Sequence, residues 1–141
     1  MRYLLILNIL ILSACGPAHV DMPDEMIGYY NDYFSIVPVS KKNSGTIILD
    51  DKLDMGLRGR CDQPLIGNWT IRINKLTWQR MDWYNNSDDQ KRSLLFHELT
   101  HCTFDSMGHS PDPHSYMYAG YAFDQTKDEL YSQTAEYTSH L

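Results

Sequence analysis

Between Asp24 and Val37 the apolar residues Met26, Ile27, Tyr30, Tyr33, Phe34 and Val37 recur at three- and four-residue intervals. That spacing predicts an amphipathic helix packed against a core. Thr46-Ile47-Ile48-Leu49 is a short β-rich run. The stretch that follows, through Asp62, holds Gly56 and Gly59, has no clear period, and reads as a loop with Cys61 at its end. Trp69-Thr70-Ile71-Arg72-Ile73-Asn74-Lys75 alternates strictly between apolar and polar residues, which predicts a strand with one buried and one wet face. Ser87 with Gln90 three residues later reads as a capping box. Asp88 and Asp89 then favour the positive end of a helix running from about Asp88 to Phe104. Gly108 through Pro113 breaks the chain, and a last helix is expected near Asp124 to Thr138, with Leu130, Ala135 and Tyr137 on its apolar side. No repeat or low-complexity tract interrupts the series. The elements together predict an α+β domain with a short mixed sheet, a central helix and a C-terminal helix.

The first residues follow a different pattern. Met1-Arg2-Tyr3 precedes an apolar run, Leu4 to Leu12, that is too short to span a bilayer and has the length of a secretory h-region. Leu12-Ser13-Ala14-Cys15 closes it and resembles a bacterial lipobox. That resemblance implies a signal peptide over residues 1–14, cleaved before Cys15, and acylation of Cys15, palmitate included. Residues 15–23 would then be a lipidated tether, and 24–141 the folded domain. Multiple acyl chains anchor stably where a single one is marginal. The expected location is the cell envelope, on the periplasmic face of the outer membrane where the host has one, because Gly16 follows the acylated Cys.

A length of 141 residues suits one such domain. The formal charge of −6, with no basic cluster, excludes a surface built to neutralise phosphates, so no nucleic-acid partner is expected. A monomer is expected. Of the three cysteines, lipid would take Cys15, leaving Cys61 and Cys102 either to pair across the domain or to remain two buried thiols.

The chemistry lies on the central helix, in His97-Glu98-Leu99-Thr100-His101. Histidines at i and i+4 share a helix face, so both imidazoles can reach one metal ion. Glu98 stands beside them, placed to accept a proton from a metal-bound water as that water attacks a carbonyl. Zinc suits this donor set, being redox-inert and content with three protein ligands and one open position. For the third ligand His109 leads, because Gly108 lets the chain turn back. His114, Asp105, Glu129 and Glu136 are the alternatives.

His97-Glu98-Leu99-Thr100-His101-Cys102, His109 and Ser115-Tyr116-Met117-Tyr118 together resemble the metzincin-type zinc metallopeptidases. More narrowly they resemble small bacterial lipoprotein metalloproteases with an HELxHC helix, a later His and an S-x-M turn. The similarity covers about Cys61 to Tyr131, and Phe96 to Tyr118 is its most specific part. It implies a zincin-like catalytic domain that hydrolyses peptide bonds in a peptide or protein substrate. Glu98 would be the catalytic base and His97, His101 and His109 the zinc ligands. Met117 would be the Met-turn residue beneath the metal, and Tyr118 or Tyr121 a helper for the oxyanion. The segment Trp69 to Lys75 would be either the edge strand that carries substrate or an interior strand. The chain departs from the family pattern at Phe104 and Met107, where that pattern has a Gly and the third His. A second reading keeps the zinc and drops the catalysis: an envelope lipoprotein that stores metal or binds a partner. A third, weaker reading is a structural envelope lipoprotein with fortuitous histidines.

Overall fold

A computed structural model describes residues 20–37, 44–54, 56–64, 67–106, 108–120 and 125–141. The expected signal peptide, Cys15 and most of the tether lie outside them, as do Met107, Tyr121 and Asp124. The elements are β1 (Val20–Asp21), α1 (Ile27–Ile36), β2 (Gly45–Asp50), β3 (Gly59–Asp62), β4 (Trp69–Asn74), α2 (Lys75–Met81), α3 (Ser87–Phe104) and α4 (Lys127–Ser139). A 3-10 turn over Asp24–Met26 leads into α1. The architecture is α+β with a small mixed sheet, ordered β1-β2-β4-β3. The first three strands in that order are parallel, and β3 runs antiparallel at the edge. No helix of the described residues is long and apolar enough to cross a membrane.

Strict alternation in β4 is what sets the layers. Trp69, Ile71 and Ile73 are buried against the helices together with Ile47 of β2, while Thr70 and Arg72 face outward. On that outer face Arg72 reaches Asp50 of β2 at 3.0 Å and Asp62 of β3 at 2.9 Å, an ion ladder across three strands. The buried face packs on α3, where every residue from Lys91 to Thr103 is buried. A helix surrounded on all sides cannot be amphipathic. Its polar residues are instead satisfied by partners. Lys91 reaches Asp82 at 2.6 Å, and Arg92 reaches Asp88 at 2.7 Å and Asp89 at 3.0 Å. Thr100 joins the hydroxyls of Tyr33 and Tyr116, each at 3.1 Å.

Several expectations need correction. The Gly-rich stretch before Asp62 is not all loop, because Gly59–Asp62 pairs with β4 as β3. Of the two alternatives for Trp69–Asn74 the interior strand is the one found, and among the described residues β1 and β3 form the edges. The tether reading extends too far, since Val20–Asp21 pairs with Gly45–Thr46. Ser87 does not cap α3. Asn86 holds that position, with its Oδ1 accepting from Gln90 Nε2 at 2.7 Å, and Ser87 is already helical. A true capping box opens α4, between Thr126 and Glu129, which pattern reading did not identify. Helix α2 was not foreseen either: seven residues starting directly at the end of a strand are too few to show a period.

Candidate metal centre and its cavity

Helix α3 carries His97 and His101 one turn apart, and the chain after it returns His109 to the same point. The three side chains each offer a nitrogen within 4.8 Å of the others. His101 Nε2 lies 3.0 Å from His97 Nε2 and 3.3 Å from His109 Nε2. His97 and His101 are buried and His109 is exposed.

The backbone fixes how these rings present themselves. His97 Nδ1 donates to the Tyr116 carbonyl at 2.7 Å, and His101 Nδ1 donates to the Ser106 carbonyl. With both Nδ1 atoms protonated, the neutral rings aim Nε2 lone pairs at a common centre. Burial holds His97 neutral, its pKa pushed down to about 3, and burial also lowers His101. Converging lone pairs repel unless a cation lies between them. Two imidazole nitrogens on a tetrahedral zinc would stand roughly 3.3 Å apart, given Zn–N bonds of about 2.05 Å. The observed separations fit that requirement, and the donor set suits zinc or another borderline divalent ion.

The return of the chain to His109 depends on the end of α3. Asp105, with φ of 52°, takes the left-handed position that closes the helix. Asp tolerates this conformation better than most residues with a side chain. The helix therefore ends at Phe104 and the chain turns at Asp105, four residues before His109. Ser110 N, next to His109, then bonds to the Met117 carbonyl at 2.9 Å. The turn that carries Met117 is closed by Tyr118 N on the Ser115 carbonyl, also at 2.9 Å. One turn thus orients His97 through Tyr116 and tethers the segment after His109 through Met117. Met117 itself is fully buried in the core.

Glu98 is 2% exposed and lines the same cavity as the three histidines. That cavity, of about 320 Å³, has Gly56, Leu57, Gly59, Arg60 and Cys61 on its other wall. Gly59 was not singled out from sequence, and it is required: a Cβ there would fall 2.5 Å from Glu98 Oε1. No short motif announces such a residue, because the contact joins positions 39 apart in the chain. Cys61 and Cys102 form a disulfide, with Cα atoms 5.5 Å apart. It fastens β3 to α3 directly after His101, so the two walls of the cavity are covalently joined.

The other candidate ligands stay outside this cluster. Asp105 is the exposed helix terminus, and His114 is exposed, its carbonyl accepting from the side-chain amides of Gln125 and Gln133. Glu129 is occupied in capping α4. Glu136 lines a separate polar cavity with Asp112 and His140. Tyr118 does not line the histidine cavity. Its ring lies over Gly120, where a Cβ would come 2.5 Å from it. Compared with known protein families, with curated proteins and with solved structures, the chain finds no match.

Proposed function

We propose that this chain is a zinc-dependent metallopeptidase, held at the cell envelope by lipid on Cys15. The observation that carries the reading is the sharing of one cavity by three convergent imidazoles and a buried carboxylate, Glu98. His97, His101 and His109 would hold the ion. Bound there, zinc supplies Lewis acidity and lowers the pKa of a coordinated water to about 7.

The chain's own residues do the rest. The Tyr116 and Ser106 carbonyls keep His97 and His101 in the tautomer that presents Nε2. Glu98 takes a proton from the attacking water and passes it to the leaving nitrogen, a role that contributes roughly 10²–10⁴-fold. Strand β3, the antiparallel edge, offers backbone N–H and C=O groups on which an extended peptide can lie as an added strand. Leu57, 41% exposed beside the cavity, gives apolar contact to a substrate side chain.

The test uses the full-length chain without a His tag. Elemental analysis is expected to find stoichiometric zinc in the parent and much less in His109→Ala. Peptide hydrolysis should fall by roughly 10²–10⁴-fold in Glu98→Gln, with zinc retained. Unchanged hydrolysis in Glu98→Gln would remove Glu98 as the base, and a zinc-loaded parent without hydrolysis would leave a zinc-binding lipoprotein. No zinc in metal-supplied protein would remove both.

A further inference from the structure

The turn that carries Tyr116 and Met117 is braced by two glutamine amides. Its own bonds shape it: His114 N donates to Asp112 Oδ1 at 2.9 Å and Met117 N to Ser115 Oγ at 3.2 Å. Such bonds tie the turn to itself and leave its place against α3 to longer-range contacts. Among those contacts, one side chain of α4 engages two of the turn's backbone groups. Gln133 Oε1 accepts from Tyr116 N at 3.1 Å, and Gln133 Nε2 donates to the His114 carbonyl at 3.2 Å. Gln125, buried at the foot of α4, donates through Nε2 to Gln133 Oε1 at 2.8 Å and to the same His114 carbonyl. An amide or carbonyl oxygen has two lone pairs, so both acceptors are fully used.

The network leaves α3 and returns to it. Ser93 Oγ donates to Gln125 Oε1 at 3.5 Å, Gln125 joins Gln133, Gln133 holds Tyr116 N, and the Tyr116 carbonyl takes His97 Nδ1–H at 2.7 Å. Ser93 and His97 stand four residues apart, one turn along the same helix. The N–H and C=O of Tyr116 belong to successive planar peptides joined at one Cα, so a shift of the first reorients the second. Tyr116 is buried, where an N–H left without an acceptor is costly and draws its peptide elsewhere. Met117 passes the same restraint onward, because its carbonyl accepts from Ser110 N, next to His109. A metal-binding imidazole depends on the partner of its other nitrogen, and losing such outer support typically costs 10–100-fold in metal affinity.

We propose that Gln133 is a positioning residue for the metal centre, fixing the tautomer and ring orientation of His97 through the backbone of Tyr116. The inference rests on the zinc half of the proposed function and not on hydrolysis, and the experiment separates the two. Full-length chain in detergent is compared with Gln133→Leu and with Thr138→Ala. The second variant is a control on the same helix: it removes a buried hydroxyl bonded to the Thr134 carbonyl at 2.7 Å. Zinc affinity is measured by competition with a chelating dye, and nitrogen–proton correlation spectra of the imidazoles read the tautomer of His97 in metal-free protein. Gln133→Leu should weaken zinc by roughly tenfold or more and mix the His97 tautomers. Thr138→Ala should lower the melting temperature and leave both readouts at the parental values. Parental zinc affinity or a parental His97 tautomer in Gln133→Leu overturns the proposal. Equal weakening by Thr138→Ala also overturns it, since the effect would then belong to the packing of α4. A parent that binds no zinc, yet loses its His97 Nδ1–H tautomer in Gln133→Leu, sinks the zinc reading and keeps the positioning role.

Discussion

Where Gly59 faces Glu98, an added Cβ would also stand 2.8 Å from Glu98 Cγ and Cδ, and strand β3 cannot withdraw because Cys61 ties it to α3. Gly59→Ala must therefore push the carboxylate aside or strain the strand, at a cost of about 1–3 kcal/mol. The expected outcome is retained zinc, a lower melting temperature and peptide hydrolysis reduced at least tenfold. A variant with parental melting and parental rate would show that Glu98 has room to move. At this scale the two histidines of α3 and Glu98 were legible in sequence because helical geometry alone puts i and i+4 together. His109 was legible only as the foremost of several options. Its position depends on Asp105 ending the helix in a left-handed turn and on Ser110 bonding to Met117, and neither leaves a short sequence signature.

Strand β3 shows how an element can be hidden by its own composition. Gly59-Arg60-Cys61-Asp62 has no apolar alternation, since one side must admit Glu98 and bond to Cys102 while the other carries charge. Arg60 stands directly opposite Arg72 in the β3–β4 register, and Asp62 reconciles them, at 2.7 Å and 2.9 Å. Like charges facing across strands cost roughly 0.2–1 kcal/mol. Burial works to raise the Asp62 pKa, but the hydrogen bonds and charges of Arg60 and Arg72 outweigh it and hold the carboxyl below its ordinary 3.8. A depressed carboxyl contributes stability that is present above the unfolded value and lost as pH falls through the folded one. Melting temperature should thus decline below about pH 4. Asp62→Asn should melt lower than the parent at neutral pH and show a shallower acid decline. Parallel pH curves for the two proteins would exclude the Asp62 contribution. By contrast, α3 was visible from its acidic start and its length, although the residue at its N-cap position is Asn86, and its side chain bonds to the Gln90 amide rather than to a helix N–H.

Across the whole molecule, the cavity is held by two long-range links, the disulfide between β3 and α3 and the histidine cluster between α3 and the following loop. Cross-linking residues 41 apart removes chain entropy worth about 4 kcal/mol from the unfolded state. A metal ion at a thousand times its Kd adds about 4 kcal/mol more. Reduction should therefore lower the melting temperature, and a chelator should lower it further. Zinc should also bind more weakly to the reduced protein, because Cys102 follows His101 and Cys61 lines the same cavity. A melting temperature indifferent to reduction would contradict the link between strand and helix. The α+β class, the order of its main elements and the two histidines with their intervening glutamate were determined by sequence alone, because periodicity and turn residues act over one helical turn or one strand. Tertiary structure alone decided which strands are edges, which third histidine joins the pair and which glycine clears Glu98. Those are relations between residues far apart in the chain, and local pattern carries no record of the distances that folding closes.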